Sequence, residues 1–292
     1  MPSVAVIGPG AIGGAISTLL AARPDIDLTV CARRPVGRIV VDRGDRTLEL
    51  EPRTALDPTE ATAVDWIIIT TKAYAALATA RWFPALVGPA TTVAVMQNGV
   101  EHVERFSRWL DPGLILPAIV TFGCGRDDTG LIRLPGTPGV DVPDTTGGRG
   151  LAALADGTEL AVSVVDGFAA AAWRKLALNA AGGVFAMALA PAGSAHHPGV
   201  FRLVHEAAAE TVAVARAAGV DLPDSVADDV AESVRSGPAD AINSLHADRL
   251  AGRPMEVDAR NGAVVRMGAR YGIDTPVNAA IAGLLESVQP SY

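Results

Sequence analysis

Val4-Ala5-Val6-Ile7-Gly8-Pro9-Gly10-Ala11-Ile12-Gly13 runs from a β-branched apolar stretch directly into three glycines spaced as GxGxxG, and an Ala/Leu-rich helical pattern follows to residue 22. Each glycine has a separate job in such a turn. Gly8 permits the tight bend, Gly10 lets the backbone approach a pyrophosphate, and Gly13 lets the helix lie close against the strand. The start of the helix adds N–H groups with no intrahelical acceptor and the positive end of its dipole. Gly8, Gly10, Ala11, Ile12 and Gly13 are therefore the candidate phosphate cradle. A lone glycine repeat says little, but one placed between a strand and a helix makes dinucleotide binding the expectation.

Working outward, further apolar runs occupy 28–30, 66–69 and 92–95, and they alternate with helical patterns at 11–22, 74–86 and 101–110. Continuous apolar strands suit a parallel sheet covered on both faces, and the alternation gives a doubly wound order. From 131 to 142 short runs punctuated by Pro135-Gly136 and Pro138-Gly139 predict antiparallel strands at the edge of that sheet, with a last strand near 160–165. After Asp166-Gly167 only helical patterns remain, separated by Pro/Gly breaks at 191–198, 219–223, 237–238 and 272–276. The expected fold is α/β: an N-terminal Rossmann-type doubly wound sheet over residues 1–166, followed by an all-α C-terminal domain over residues 167–292.

Composition excludes several other classes. The 292 residues are 49% hydrophobic and 19% charged with net charge −8, enough to build a core and without a basic cluster for a nucleic-acid backbone. Cys31 and Cys124 stand far apart with no metal or disulfide spacing, which fits a reducing, cytoplasmic setting. The opening residues lack a basic n-region, so no signal peptide is expected. The span 176–195 has membrane-like length, but it carries Asn179 and Pro191 and opens beside Arg174 and Lys175. It reads as a buried helix rather than a membrane span. Oligomeric state leaves no mark in the sequence, and a homodimer is kept as a candidate assembly.

About 20 residues past the glycine turn, where an NAD enzyme places an acid on the ribose, the chain has Cys31-Ala32-Arg33-Arg34. Guanidiniums without a carboxylate favour a 2′-phosphate, so NADP(H) is predicted, with Arg33 as its ligand. Thr70-Thr71-Lys72-Ala73 and Met96-Gln97-Asn98-Gly99 end the next two strands, where ligands of open α/β sheets lie. Lys72 and Asn98 are candidates there, although either motif alone also serves as a helix start or a tight turn. The chain uses 22 Arg and only two Lys, Lys72 and Lys175. Lysine can give up a proton where arginine cannot, which singles these two out. Lys175 and Asn179, four apart, share a helix face with Gly182 and Gly183 a turn further on. Ser244 reads most simply as a helix-surface hydroxyl, and Glu256 most simply as a first-turn acid favoured by the dipole. His196-His197 lies in a Pro/Gly loop without metal-site spacing, and no metal is expected.

Taken together, the glycine loop, Arg33, Thr71-Lys72-Ala73, Gln97-Asn98-Gly99, Trp173-Arg174-Lys175-Leu176 with Asn179, Ser244, and Glu256-Val257-Asp258 with Asn261-Gly262 resemble the ketopantoate reductase family over nearly the whole chain. The actinobacterial-type members look closest. The resemblance implies NADPH-dependent reduction of ketopantoate to pantoate, towards pantothenate and coenzyme A, in a cleft between the two domains. It implies Lys175 as general acid, Asn98 and Glu256 orienting substrate and cofactor, Ser244 on the substrate carboxylate, Asn179 hydrogen-bonding the substrate, and Lys72 near the cofactor. One departure is Gly183, where many members carry a second substrate-facing Asn. That leaves a reductase of another 2-oxo or 3-hydroxy acid as the enzymatic alternative, and a non-catalytic NADP(H)-binding sensor as the alternative from another class.

Overall fold

The computed structural model describes residues 1–290 and divides into two compact units, Met1–Gln97 with His102–Phe168, and Asn98–Glu101 with the chain from Ala169 onward. The first unit is built on a six-stranded, all-parallel sheet in the order Arg53–Ala55, Asp27–Cys31, Ser3–Ile7, Val64–Ile69, Val87–Val95, Ile115–Pro117. Because strand side chains alternate in direction, each apolar strand feeds two cores. Val4, Val6, Ile68 and Ala94 pack with Ile16, Leu19 and Leu20 of the helix Ala11–Leu20, while Ala5, Ile7, Ile67, Ile69, Val93 and Val95 pack with Phe83, Leu86 and Phe106. This two-sided burial is why these strands carry no polar alternation. The chain runs outward from Ser3–Ile7 to Asp27–Cys31 and then crosses back to Val64–Ile69, so the order reverses beside the first strand. The glycine turn lies at the carboxyl end of that strand.

The strands expected at the sheet edge belong instead to two separate small sheets. Gly125–Arg126 and Ile132–Arg133 pair antiparallel and join Ile39–Asp42 and Thr47–Leu50. Gly139–Pro143 pairs antiparallel with Ile119–Val120 and parallel with Ala161–Val165. The first of these sheets covers the helix Ala11–Leu20: Ile39, Val41 and Ile132 are buried, and a Cβ at Gly14 would come within 2.5 Å of Ile132 Cδ1. Local alternation and turn glycines identify a strand, but packing on that helix decides which sheet it enters. The hairpin at 39–50, closed by Arg43 N–H to Arg46 O (2.9 Å) with Gly44 at φ +90°, was not foreseen. Nor was the helix Thr146–Ala155, whose glycines hide it and whose N-terminus is capped by Thr145 Oγ1 accepting from Gly148 N–H. The helix expected at 74–86 is divided into the 3₁₀ turn Ala73–Ala75 and the helices Ala76–Ala80 and Phe83–Leu86, because Pro84 starts a new segment rather than continuing the old one.

The second unit is helical, with Phe168–Ala181, Gly183–Ala188, Pro198–Ala217, Ser225–Ser236, Ser244–Leu250, Ala263–Tyr271 and Pro276–Val288 around an Ala/Val-rich core. The segment 176–195 is not one helix. Asn243 Nδ2 donates to Gly182 O at 2.8 Å at the break, Leu189 at φ 52° ends the second piece, and a 3₁₀ turn Ala192–His196 follows. Asn98–Glu101 joins this unit despite its place in the sequence. Val100 packs against its core, and Arg266 clamps Glu101 with Nη2 to Oε2 at 2.6 Å. Among the described residues, no helix is long and apolar enough to cross a membrane.

Candidate active site

In the first unit the three glycines behave differently. Gly8 has φ +100°, and a Cβ there would meet Thr71 Cγ2 at 2.7 Å. A Cβ at Gly13 would overlap Gly8 O and Thr70 Oγ1. At Gly10, by contrast, a Cβ would meet nothing within 4 Å. The first and third glycines are thus demanded by packing, while the second faces open space beside the first turn of the helix Ala11–Leu20. Thr70 Oγ1 donates to Gly8 O at 2.8 Å and fixes the turn from the next strand. The arrangement fits a pyrophosphate, with the amides of Ala11, Ile12 and Gly13 in the first turn, where the helix supplies no acceptor.

Arg33 and Arg34 are exposed just beyond Asp27–Cys31, and neither has a carboxylate partner among the described residues. They are positioned to take an anionic group from solvent. Cys31 beside them is buried, and burial pushes its thiol up to about 12, so it stays a protonated apolar side chain. At the ends of the next strands, Gln97 Nε2 donates to Thr71 Oγ1 (3.0 Å) and to Lys72 O (3.3 Å), and Arg105 Nη1 donates to Gln97 Oε1 at 3.1 Å. Thr79 Oγ1 donates to Ala75 O, which leaves Thr71 as the donor in the 2.8 Å contact between the two hydroxyls. This network holds the Lys72 backbone in place. Gln97 and Arg105 as its members were missed, although Gln97 stood within the quoted motif.

The second unit collects the other candidates. Asn98 Nδ2 donates to Glu256 Oε2 at 3.0 Å, and Asn179 Nδ2 reaches Asn98 Oδ1 at 3.4 Å. Glu256 is 5% exposed, so the carboxylate sits in a largely dry setting where a hydrogen bond counts for more than in water. Lys175 lies one turn before Asn179 on Phe168–Ala181 and is half-buried. The structure thereby assembles Asn98, Asn179 and Glu256, residues up to 158 positions apart in the chain. An ammonium and two amides, with one carboxylate to orient them, can bind a carbonyl oxygen and a neighbouring hydroxyl and supply a proton.

Ser244 is exposed at the start of Ser244–Leu250, which Asn243 caps by accepting from the Leu245 and His246 amides. Its Oγ accepts from Arg260 Nη2 at 2.7 Å. Arg260 belongs to a π-helical turn, Asp258–Gly262, closed by Gly262 N–H to Val257 O at 3.0 Å. Such turns insert one extra residue and re-aim the side chains around them. Arg260 was not foreseen, although a charged residue inside Val257-Asp258-Ala259-Arg260-Asn261-Gly262-Ala263-Val264, four after Glu256, was the available signal.

Gly183 also has a local explanation. A Cβ there would come within 2.7 Å of both Asn261 Oδ1 and Ile281 Cγ2. Asn261 is fully buried and donates to Ala180 O (3.0 Å) and Asn278 Oδ1 (2.9 Å), so the space that a longer side chain would need is filled by its amide. No His/Cys/Asp/Glu group suited to a metal ion occurs among the described residues.

Comparison with known proteins follows the same division of the chain. Residues 4–146 match the family model for ketopantoate reductase PanE/ApbA, and residues 168–289 match its C-terminal model. A 2-dehydropantoate 2-reductase of Caulobacter vibrioides is 44% identical over 287 residues, covering 98% of this chain and 99% of that protein. One from Mycobacterium tuberculosis is 34% identical over 284 residues, covering 97% and 96%. Among solved structures, a PanE/ApbA family ketopantoate reductase from Ralstonia eutropha superposes with TM-score 0.86 at 27% identity, covering 98% of this chain and 97% of that one.

Proposed function

The chain belongs to the ketopantoate reductase family, and on that premise we propose that it reduces 2-dehydropantoate to pantoate with NADPH, a cytoplasmic step towards pantothenate and coenzyme A. The observation that carries this proposal is the Asn179–Asn98–Glu256 chain of hydrogen bonds, whose Asn179 lies one turn from Lys175 on the same helix. When bound, the reduced nicotinamide supplies a hydride to the ketone carbon of the substrate. The rest of the chemistry falls to the protein.

As negative charge develops on the ketone oxygen, the Lys175 ammonium stabilises it and transfers its proton to that oxygen, a role worth about 10²–10⁴-fold. An arginine at that position could stabilise the charge but could not give the proton. Glu256 fixes the Asn98 amide by accepting from its Nδ2, and Asn98 in turn fixes Asn179, so both amides keep one orientation as substrate polar groups arrive. The exposed hydroxyl of Ser244 takes the substrate carboxylate. Gly8, Gly10 and Gly13 with the first helical turn would hold the cofactor pyrophosphate, Arg33 would take its 2′-phosphate, and Lys72 would serve the cofactor side of the site.

Loss of reduced-nicotinamide absorbance tests this directly, with NADPH and NADH run in parallel against ketopantoate and a panel of branched 2-oxo acids. Rapid turnover of ketopantoate with NADPH is expected. Turnover of only another 2-oxo acid would move the substrate and keep the mechanism, an outcome that Gly183 makes worth the panel. Tight NADPH binding without turnover of any 2-oxo acid would refute the enzymatic assignment.

A further inference from the structure

The mechanism above leaves Arg260 without a task, yet its environment is unusual for a structural arginine. The side chain is 2% exposed, its Nη2 donates to Ser244 Oγ at 2.7 Å, and its Nε and Nη1 are buried with no hydrogen-bond partner. Buried guanidiniums that serve only to hold a fold normally spend their donors on carbonyls or carboxylates. Arg249, by comparison, donates to Ala186 O and Met187 O. The charged groups facing Arg260 are Glu256, on its own segment, and Asp248, on Ser244–Leu250. Glu256 is engaged by Asn98, and Asp248 by Arg253 Nε at 3.0 Å. His246, the other titratable group on Ser244–Leu250 with a buried side chain, has no hydrogen-bond partner at either ring nitrogen.

The one hydrogen bond Arg260 does make decides what Ser244 can do. A serine hydroxyl has one O–H to give and two lone pairs to receive. Arg260 takes a lone pair from below, which polarises the hydroxyl and leaves its proton to be given away on the exposed side. A positive charge directly beneath makes an anion the preferred acceptor there. We infer that Arg260 is a positioning and specificity-determining residue: it sets Ser244 as an outward donor backed by positive charge, and so selects substrates that carry a carboxylate beside the ketone. This inference rests on the proposed reduction of a 2-oxo acid with its carboxylate at Ser244.

The π-turn explains how the placement arises. Glu256 precedes the turn Asp258–Gly262 in non-helical backbone and accepts from Asn98, while Arg260 within the turn reaches Ser244. Two oppositely charged groups thereby back two different side chains, Asn98 and Ser244.

The test compares wild type with Arg260→Met, Arg260→Lys, Ser244→Ala and the Arg260→Met/Ser244→Ala double variant. Each is assayed on the preferred 2-oxo acid and on its neutral ester or lactone, with thermal melting as the check on folding. Arg260→Met should raise KM for the acid roughly 10- to 100-fold while leaving kcat within about threefold. KM for the neutral ester should hardly move, and Arg260→Lys should recover part of the loss. In the Ser244→Ala background, Arg260→Met should add little, because the two act through one contact. Calorimetric titration of the hydroxy-acid product should show the same loss of affinity without turnover. Equal losses for acid and ester, or an unchanged KM for the acid, would overturn the inference while wild-type turnover upheld the reductase assignment. Should Arg260→Met fail to fold, Arg260→Lys and Ser244→Ala decide the matter by the same acid-to-ester ratio. A wild type that reduces no 2-oxo acid would overturn the assignment, and this inference with it.

Discussion

Replacing Gly10 with alanine separates the chemistry of the glycine turn from its packing. Gly10 has φ −74° and ψ −158°, a conformation open to alanine, and a Cβ placed there meets no atom within 4 Å. Removing glycine from the unfolded chain stabilises by about 0.4–1 kcal/mol. Alanine is a poorer N-cap than glycine, which offsets that gain. The net change is roughly zero, and the melting temperature should move by no more than about 2 °C. In the proposed binding mode, however, the new methyl occupies the space through which a pyrophosphate approaches the first-turn amides. Losing one charge-assisted hydrogen bond costs about 1.5–3 kcal/mol. NADPH affinity should therefore fall about 10- to 100-fold. Nucleotide fluorescence titration reads the affinity, and calorimetry reads the stability. Gly13→Ala is the counterpart, because its methyl collides with Gly8 O and Thr70 Oγ1 and should lower the melting temperature whether or not cofactor is present. An unchanged NADPH affinity in Gly10→Ala, or a stability loss matching that of Gly13→Ala, would refute the cradle.

Other consequences are equally direct. Lys175→Ala should lose most of kcat while keeping NADPH affinity, and a variant with kcat near wild type would remove Lys175 from the role of general acid. Arg33→Ala should raise KM for NADPH and leave KM for NADH unaltered, so an unchanged preference between the two cofactors would exclude Arg33 as the 2′-phosphate ligand. Gly183→Ala pushes a methyl into Asn261 and Ile281 and should cost roughly 1–3 kcal/mol by overpacking, with a thermal denaturation scan as the measurement. A melting temperature equal to wild type would show that Asn261 yields freely. Burial, reinforced by Arg249, holds the His246 imidazole below its ordinary value, so the unfolded chain takes up a proton that the folded chain refuses. That contribution to stability is present above the ordinary histidine pKa and is lost as pH falls towards the folded-state value. His246→Leu should accordingly flatten the decline of melting temperature between pH 7 and pH 5, whereas parallel curves for the two proteins would refute it.

The elements most legible in the sequence were those encoded by neighbours. The strands at 4–7, 28–30, 66–69 and 92–95 are runs of apolar residues whose burial on both faces follows from composition alone, and all four lie in the parallel sheet. The turn Gly8 to Gly13 was readable from its glycine spacing directly after a strand, although the neighbours that demand Gly8 and Gly13 include Thr70 and Thr71 of a distant segment. Failures came where an outcome depended on distant packing. The strand Ile132–Arg133 was visible as a strand, but its attachment to Ile39–Asp42 came from the apolar face of the helix Ala11–Leu20. The helical span 176–195 has no internal residue that compels a stop at 182; Asn243, 61 positions later, holds that break.

The candidate site divides along the same line. Residue type and spacing singled out Lys175, Asn179 and Asn98 as chemistry-bearing residues, because amines and amides in apolar surroundings need partners, whereas Glu256 read by itself as a first-turn acid and was marked only by the family resemblance. Spacing could not pair Asn98 with Glu256, place Asn98–Glu101 in the helical unit through Arg266, or set Arg260 beneath Ser244. Those contacts join segments whose separation in sequence carries no information about their distance in space. Only the packing of helices, with one π-turn in register, brings the groups together. The sequence by itself determined the parallel sheet, the phosphate turn and the kinds of groups available for a reduction. Tertiary structure alone decided which of them meet, because a hydrogen bond depends on ångström distances that local propensity does not encode.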